Sequence, residues 1–208
     1  MRIHAKLVSS TVNGPGKRAV VWFQGCIGMS CKSTCWNPET HDTEKGYGYS
    51  PSFIAGWISG CVESLGLDGV TFSGGEPMQQ ANDLVETITI LKSLNPTISI
   101  GMFSGYTEKE LEAGKYPALP DRDQGTSEQL WKRIKGSLDF AVLGRYNSLL
   151  PERSKPLVTS SNQKLCLFSD RYQFSDFRPL EVEVFIDNKG TVQITGFPVN
   201  GMLAMPDC

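Results

Sequence analysis

With 208 residues and 20 Lys plus Arg against 22 Asp plus Glu, the chain can bury one substantial core and carries no electrostatic footprint for nucleic acid or an anionic membrane. Met1-Arg2-Ile3-His4-Ala5-Lys6-Leu7 has no apolar signal core and no apolar run approaches a membrane span, so a soluble, cytoplasmic protein with a single domain over residues 1–208 is expected, acting on a small molecule or another protein. Six cysteines, half of them in one loop, read as a metal site in a reducing compartment rather than as disulfides.

In chain order, Val12-Asn13-Gly14-Pro15-Gly16-Lys17-Arg18 predicts a tight turn that delivers the chain into a first core strand, Ala19 to Gln24. That strand is continuously apolar at Val20-Val21-Trp22-Phe23, the pattern of a strand covered on both faces. The cysteine loop follows directly, with Cys26, Cys31 and Cys35. Ser50 caps and Pro51 starts a helix whose apolar positions are Ile54, Trp57, Ile58, Cys61, Val62 and Leu65, and Gly66 ends it. A short strand from Gly69 to Ser73 runs into Gly74-Gly75-Glu76-Pro77. A second helix from about Gln79 to Leu94 stops at Asn95-Pro96, and Thr97 to Phe103 makes the next strand, ending in Ser104-Gly105-Tyr106-Thr107.

A short helix from Glu108, an exposed Pro/Gly/Asp-rich excursion over 113–126, and a helix from Ser127 to Lys135 lead to a strand at Phe140 to Leu143, ending at Gly144-Arg145-Tyr146. Residues 147–161 are expected to form a partly mobile loop. Leu165 to Phe168 reads as a strand, and Val182 to Ile186 with Thr191 to Thr195 as a hairpin turning at Asn188-Lys189-Gly190. Strand and helix alternate, which means parallel βα units; about six strands are too few for a closed eight-stranded barrel, so an open, partial (β/α) barrel is expected, with a core over about 19–168 and terminal strands within 180–196. Ligands bind such sheets at the carboxyl ends of the strands, where the cysteine loop, the Gly-Gly-Glu-Pro stretch, Ser104-Gly105 and Gly144-Arg145 all fall.

Three thiolates within ten residues at a strand exit suit one soft metal centre. A 4Fe-4S cube held by three cysteines leaves one iron free to chelate something else. The competing reading is structural zinc, with His41 as fourth ligand. Cys61 and Cys166 read as core residues, and Cys208 as an exposed thiol. Taken alone, Gly74-Gly75 is compatible with an ordinary turn and Glu76 with a helix-start carboxylate.

The cysteine loop followed by Asn37-Pro38-Glu39-Thr40, together with Ser73-Gly74-Gly75-Glu76-Pro77, resembles the radical S-adenosylmethionine (SAM) enzymes, and within them the short activating enzymes of anaerobic ribonucleotide reductase and pyruvate formate-lyase. Gly14-Pro15-Gly16, Phe103-Ser104-Gly105-Tyr106-Thr107 and Ser160-Ser161-Asn162-Gln163 match the same group. The family spacing is C-x3-C-x2-C, whereas here it is C-x4-C-x3-C. Each added residue contributes at most about 3.3–3.6 Å of contour, so the loop can still wrap a cluster; what changes is the set of backbone N–H groups aimed at the cluster sulfurs.

The resemblance implies one 4Fe-4S cluster on Cys26, Cys31 and Cys35, and SAM reductively cleaved to methionine and a 5'-deoxyadenosyl radical that abstracts hydrogen. It places Gly74, Gly75, Glu76 and Pro77 at the methionine amino group, Thr34 and Trp36 near the adenine, and Ser104 near the ribose. Arg145 falls on the same rim, where it suits an anionic substrate group, against the alternative of a solvated or structural arginine. The implied partners are a glycyl radical enzyme as protein substrate, or a small molecule or peptide, and an electron donor such as flavodoxin or ferredoxin. A non-catalytic iron–sulfur or zinc protein is the remaining alternative.

Overall fold

The computed structural model describes residues 1–118, 125–186, 190 and 192–197. The centre of the fold is four parallel strands: β1 (Arg2–Ser10) lies antiparallel on β2 (Arg18–Phe23), and β2 is then followed across the sheet by β4 (Gly69–Gly74), β5 (Ser99–Ser104) and β6 (Phe140–Leu143), all parallel to it. The two-residue β3 (Tyr47–Gly48) pairs with β1, and β7 (Lys164–Leu167) runs antiparallel to β6, giving a seven-stranded mixed sheet in the order β3-β1-β2-β4-β5-β6-β7. A separate two-stranded hairpin, β8 (Val182–Ile186) with β9 (Val192–Gly196), completes the described chain.

The parallel expectation holds for the four central strands and fails at both flanks. β1 was not expected at all: its apolar residues are sparse, and of these only Ile3 and Leu7 are buried, with Ser10 buried at its end and the rest of the strand exposed or half-exposed. A strand that is only partly covered carries a weaker signal than β2, where Ala19, Val20, Val21 and Phe23 are completely buried. The predicted hairpin forms, although Asn188, Lys189 and Thr191 lie outside the described residues, as do 119–124 of the predicted excursion and Cys208.

Helix α1 (Pro51–Leu65) begins as the sequence indicates, with the Ser50 hydroxyl accepting the Phe53 N–H at 3.1 Å, and ends at Gly66 in the left-handed region with φ 62°. It packs Ile54, Ile58 and Cys61 against the sheet beside α2 (Ala81–Leu94), which buries Leu84, Ile88 and Leu91. Helix α3 (Glu108–Glu112) and helix α4 (Ser127–Lys135) each start with a capping box, on Thr107 and Thr126. The segment 147–161, expected as a partly mobile loop, is tied in: Leu157 and Val158 are buried against Val142, Leu165 and Phe177, and Pro151 bridges to Ser160. Cys61 and Cys166 are buried, as their apolar neighbours implied. Among the described residues no helix is long and apolar enough to cross a membrane.

Beneath the sheet, Arg18 is completely buried. Its guanidinium donates to Thr71 Oγ1 (2.8 Å), the Val70 carbonyl (2.8 Å), the Pro15 carbonyl (3.1 Å) and both the hydroxyl and carbonyl of Ser99 (3.2 Å each), and stands 5.0 Å from the Phe140 ring centroid. Neutral oxygens on two strands and a loop thus share one cation held on a third strand, and Thr71 passes the connection on by donating to the Asn13 carbonyl at 2.8 Å.

Candidate functional site

The four parallel strands end on one rim. β2 leads into the cysteine loop, β4 into Gly75-Glu76-Pro77, β5 into Gly105-Tyr106, and β6 into Gly144-Arg145. Backbone bonds join the first two exits: the Gly75 N–H donates to the Phe23 carbonyl (2.8 Å), the Glu76 N–H to the Gly25 carbonyl (2.9 Å), and the Gly25 N–H to the Thr40 carbonyl (2.7 Å). A Cβ on Gly75 would collide with the Gly25 carbonyl, and Gly74 sits at φ +102°, so this turn requires glycine at both positions.

The rim surrounds a cleft of about 240 Å³, lined among others by Cys26, Cys31, Cys35, Trp36, Gly74, Gly75, Glu76 and Ser104. Cys26 is buried, while Cys31 and Cys35 are half-buried on either side of the 3-10 turn Lys32–Thr34. Burial pushes the Cys31 thiol up, with the Glu76 carboxylate adding to the effect; burial also raises Cys35, offset in part by the Asn37 N–H that donates to its Sγ at 3.4 Å. A metal therefore has to displace a proton from both.

Among the described residues, no three His, Cys, Asp or Glu side chains converge as a set that could hold a single metal ion. Three cysteine side chains lining one cleft are a donor set that suits an iron–sulfur cluster, in which different irons each take one thiolate. His41 also lines the cleft, and its carbonyl accepts the Cys26 N–H at 3.3 Å.

Glu76 is 1% exposed and its carboxylate is engaged within the protein. Oε1 accepts the Met78 N–H (2.9 Å) and the Ser104 hydroxyl (2.8 Å), and Oε2 accepts the Gly105 N–H (2.7 Å). Burial raises its pKa to about 7 against these three bonds, which favour the ionised form. Glu76 thereby fastens the β4 exit to the β5 exit, and Ser104, which also accepts the Tyr106 N–H at 3.2 Å, belongs to the same fastening.

Thr34, Pro77 and Arg145 are not among the cleft-lining residues. Thr34 is exposed and Pro77 starts the 3-10 turn Pro77–Gln80. Arg145 already has a carboxylate partner: its Nη1 lies 2.9 Å from Glu110 Oε2, and the guanidinium stands 5.4 Å from the Tyr106 ring centroid. That contact holds the Glu110 carboxyl down at about 2.

Several cleft residues escaped the motif reading. Tyr146 meets Trp36 edge-on at 5.6 Å between ring centroids, Met29 is buried inside the cysteine loop, and Ile194 and Phe197 reach the cleft from the hairpin. Asn162 and Gln163, which the Ser160-Ser161-Asn162-Gln163 motif had singled out, fasten the β6 exit, donating to the Arg145 carbonyl (2.6 Å) and the Gly144 carbonyl (3.2 Å). Isolated aromatic residues in loops carry no spacing signal, so only their tertiary placement identifies them.

A family described as "4Fe-4S single cluster domain" matches residues 12–166, a stretch that contains all three loop cysteines and the four strand exits. The chain belongs to that family. Relatives of this single-cluster protein include the anaerobic ribonucleoside-triphosphate reductase-activating protein of Vibrio cholerae, 29% identical over 58% of this chain and 78% of the relative. The pyruvate formate-lyase-activating enzyme of Listeria monocytogenes is 32% identical over 81% of this chain, which spans 62% of that enzyme's length. The anaerobic ribonucleoside-triphosphate reductase-activating protein of Enterobacteria phage T4 is 29% identical over 74% of this chain and 86% of the relative. Family and relatives together make the chain a single-cluster 4Fe-4S protein similar to the activating proteins of anaerobic ribonucleoside-triphosphate reductase and pyruvate formate-lyase.

Proposed function

We propose that the chain activates a glycyl radical enzyme, binding a larger protein and abstracting hydrogen from a glycine Cα to leave a stable radical. The observation that carries this reading is the convergence of Cys26, Cys31, Cys35, the Gly74-Gly75-Glu76 turn and Ser104-Gly105 on one cleft at the carboxyl ends of parallel strands. A reduced 4Fe-4S cluster bound there supplies the electron that cleaves the sulfonium of SAM.

Within this reading the chain's own residues bind and orient. Cys26, Cys31 and Cys35 hold the cluster and leave one iron without a protein ligand. The backbone of Gly74 to Pro77 faces the methionine end of SAM, its carbonyls accepting from the ammonium, while the carboxylate of Glu76 acts through charge because its oxygens are already bonded. Trp36, with Thr34 beside it, forms the adenine side of the cleft, and Ser104 the ribose side. Arg145, paired with Glu110, serves as an anion anchor only if that pair opens. The sheet is read as an open partial barrel whose uncovered side admits a protein loop. A soluble donor of the flavodoxin or ferredoxin type delivers electrons in the cytoplasm, in keeping with the balanced charge of the chain.

A second reading takes a small molecule or peptide as substrate. It is favoured by the hairpin, because Ile194, Thr195, Gly196 and Phe197 wall one side of the cleft. Anaerobic reconstitution, followed by SAM and a strong reductant in the presence of co-encoded glycyl radical enzymes, separates the two. A glycyl radical EPR doublet that disappears in Cys31→Ala is expected. Cys31-dependent 5'-deoxyadenosine without a doublet on any such enzyme would transfer the assignment to the small-substrate reading.

A further inference from the structure

Two side-chain amides grip the roots of the cysteine loop. Gln79, on the turn Pro77–Gln80 and 3% exposed, faces the backbone of Ile27, the residue after Cys26. Its Oε1 accepts the Ile27 N–H at 2.7 Å, and its Nε2 donates to the Ile27 carbonyl at 2.7 Å and to the Tyr106 hydroxyl at 3.0 Å. Both N–H groups and the carbonyl of the amide are therefore used, and only one orientation of the amide satisfies all three partners. A side chain that pairs with the N–H and C=O of a single residue acts as a strand partner would, fixing the backbone on both sides of it.

The Ile27 side chain is itself 44% exposed, so it is the hydrogen bonds, rather than packing, that hold this position. At the far root, Gln24 donates to the carbonyls of Glu39 (3.0 Å) and Asp42 (2.7 Å).

We infer that Gln79 is a positioning residue for the cluster, holding Cys26 in register with the Gly-Gly-Glu-Pro turn so that the added residues of the C-x4-C-x3-C loop do not displace this first thiol. The inference rests on Cys26, Cys31 and Cys35 being the cluster ligands. Ile27 and Gly28 lie in the longer first gap, and clamping Ile27 confines the slack to the residues between Gly28 and Cys31. Tyr106, from the β5 exit, orients the clamp, so three of the four strand exits meet at this one amide.

The test compares the reconstituted full chain with Gln79→Leu and Gln79→Glu. Gln79→Leu removes all three bonds, whereas Gln79→Glu keeps the volume and the acceptor for the Ile27 N–H but removes both donors. Readouts are iron and sulfide per chain, the rate at which a chelator strips the cluster, the EPR spectrum of the reduced cluster, and the melting temperature of the metal-free chain. Removing a group that orients a metal ligand typically costs tenfold or more in metal retention, so a stripping rate about tenfold faster for Gln79→Leu is expected, with Gln79→Glu between it and the parent, and altered EPR g-values in both.

Melting of the metal-free chains within a few degrees of one another separates this effect from loss of fold. Should Gln79→Leu melt early, the rate and spectrum of Gln79→Glu decide. Parent-like stripping and spectra in the folded variants overturn the inference. A parent chain that reconstitutes no 4Fe-4S cluster, or a Cys26→Ala chain that still forms it with parent stability, refutes the ligand assignment instead.

Discussion

Replacing Glu76 by Gln isolates the charge of the buried carboxylate that joins two strand exits. Three donors surround it: the N–H groups of Met78 and Gly105 and the hydroxyl of Ser104. They favour the anion, yet burial outweighs them and lifts the pKa from 4.5 to about 7. The folded state therefore holds this proton more tightly than the unfolded chain, and between those two values folding stability falls as pH rises. With about 1.4 kcal/mol per pKa unit, raising the pH from 5.5 to 8.5 removes about 2 kcal/mol from the parent protein. The amide of the Glu76→Gln variant does not titrate, so its stability lacks this component.

For a chain of this size, about 2 kcal/mol corresponds to roughly 4–8 °C in melting temperature. Melting of the metal-free chains followed by circular dichroism at pH 5.5, 7 and 8.5, under reducing anaerobic conditions, should show the variant gaining on the parent by that amount across the series. Parallel curves for the two proteins would refute a raised Glu76 pKa and, with it, the view that the fastening of the two exits is held at an electrostatic cost.

Two further substitutions probe the same rim from below and from its backbone. Gly75→Ala puts a methyl group against the Gly25 carbonyl, and overpacking of this kind should lower stability by about 1–3 kcal/mol and shift the cysteine loop, read as a lower melting temperature and reduced cluster loading. Arg18→Met leaves the buried carbonyls of Pro15, Val70 and Ser99 without their donor and should cost about 3 kcal/mol or more by chemical denaturation. Because Thr71 ties Arg18 to Asn13, which lines the cleft, that variant should also bind SAM more weakly.

Much of the site was legible because its chemistry is local. The cysteine loop and the Gly-Gly-Glu-Pro turn are short motifs whose residues act within a few positions of one another, and the apolar run of β2 and the stripes of α1 and α2 announce burial through their period alone. Strand exits followed from the alternation of strands and helices, and these brought Cys26, Gly74, Ser104 and Gly144 to one rim. The role of Glu76 was legible only in part. The helix-start carboxylate reading holds, its Oε1 accepting the Met78 N–H at 2.9 Å, and only its contacts with residues 104 and 105 show that it also joins two loops.

What the amino-acid order determined by itself is the type of chemistry and the parallel core, since both are written in residues close together along the chain. The tertiary structure alone decided the rest: the antiparallel β1 and β7 that flank the core, the Glu110 partner that occupies Arg145, the Trp36–Tyr146 contact and the grip of Gln79 on Ile27. Each of these joins residues well separated in the sequence, with orientation and burial that no local period encodes. A hydrogen bond at 2.7 Å between residues 27 and 79 depends on where two loops arrive, and loops arrive where the core beneath them has packed.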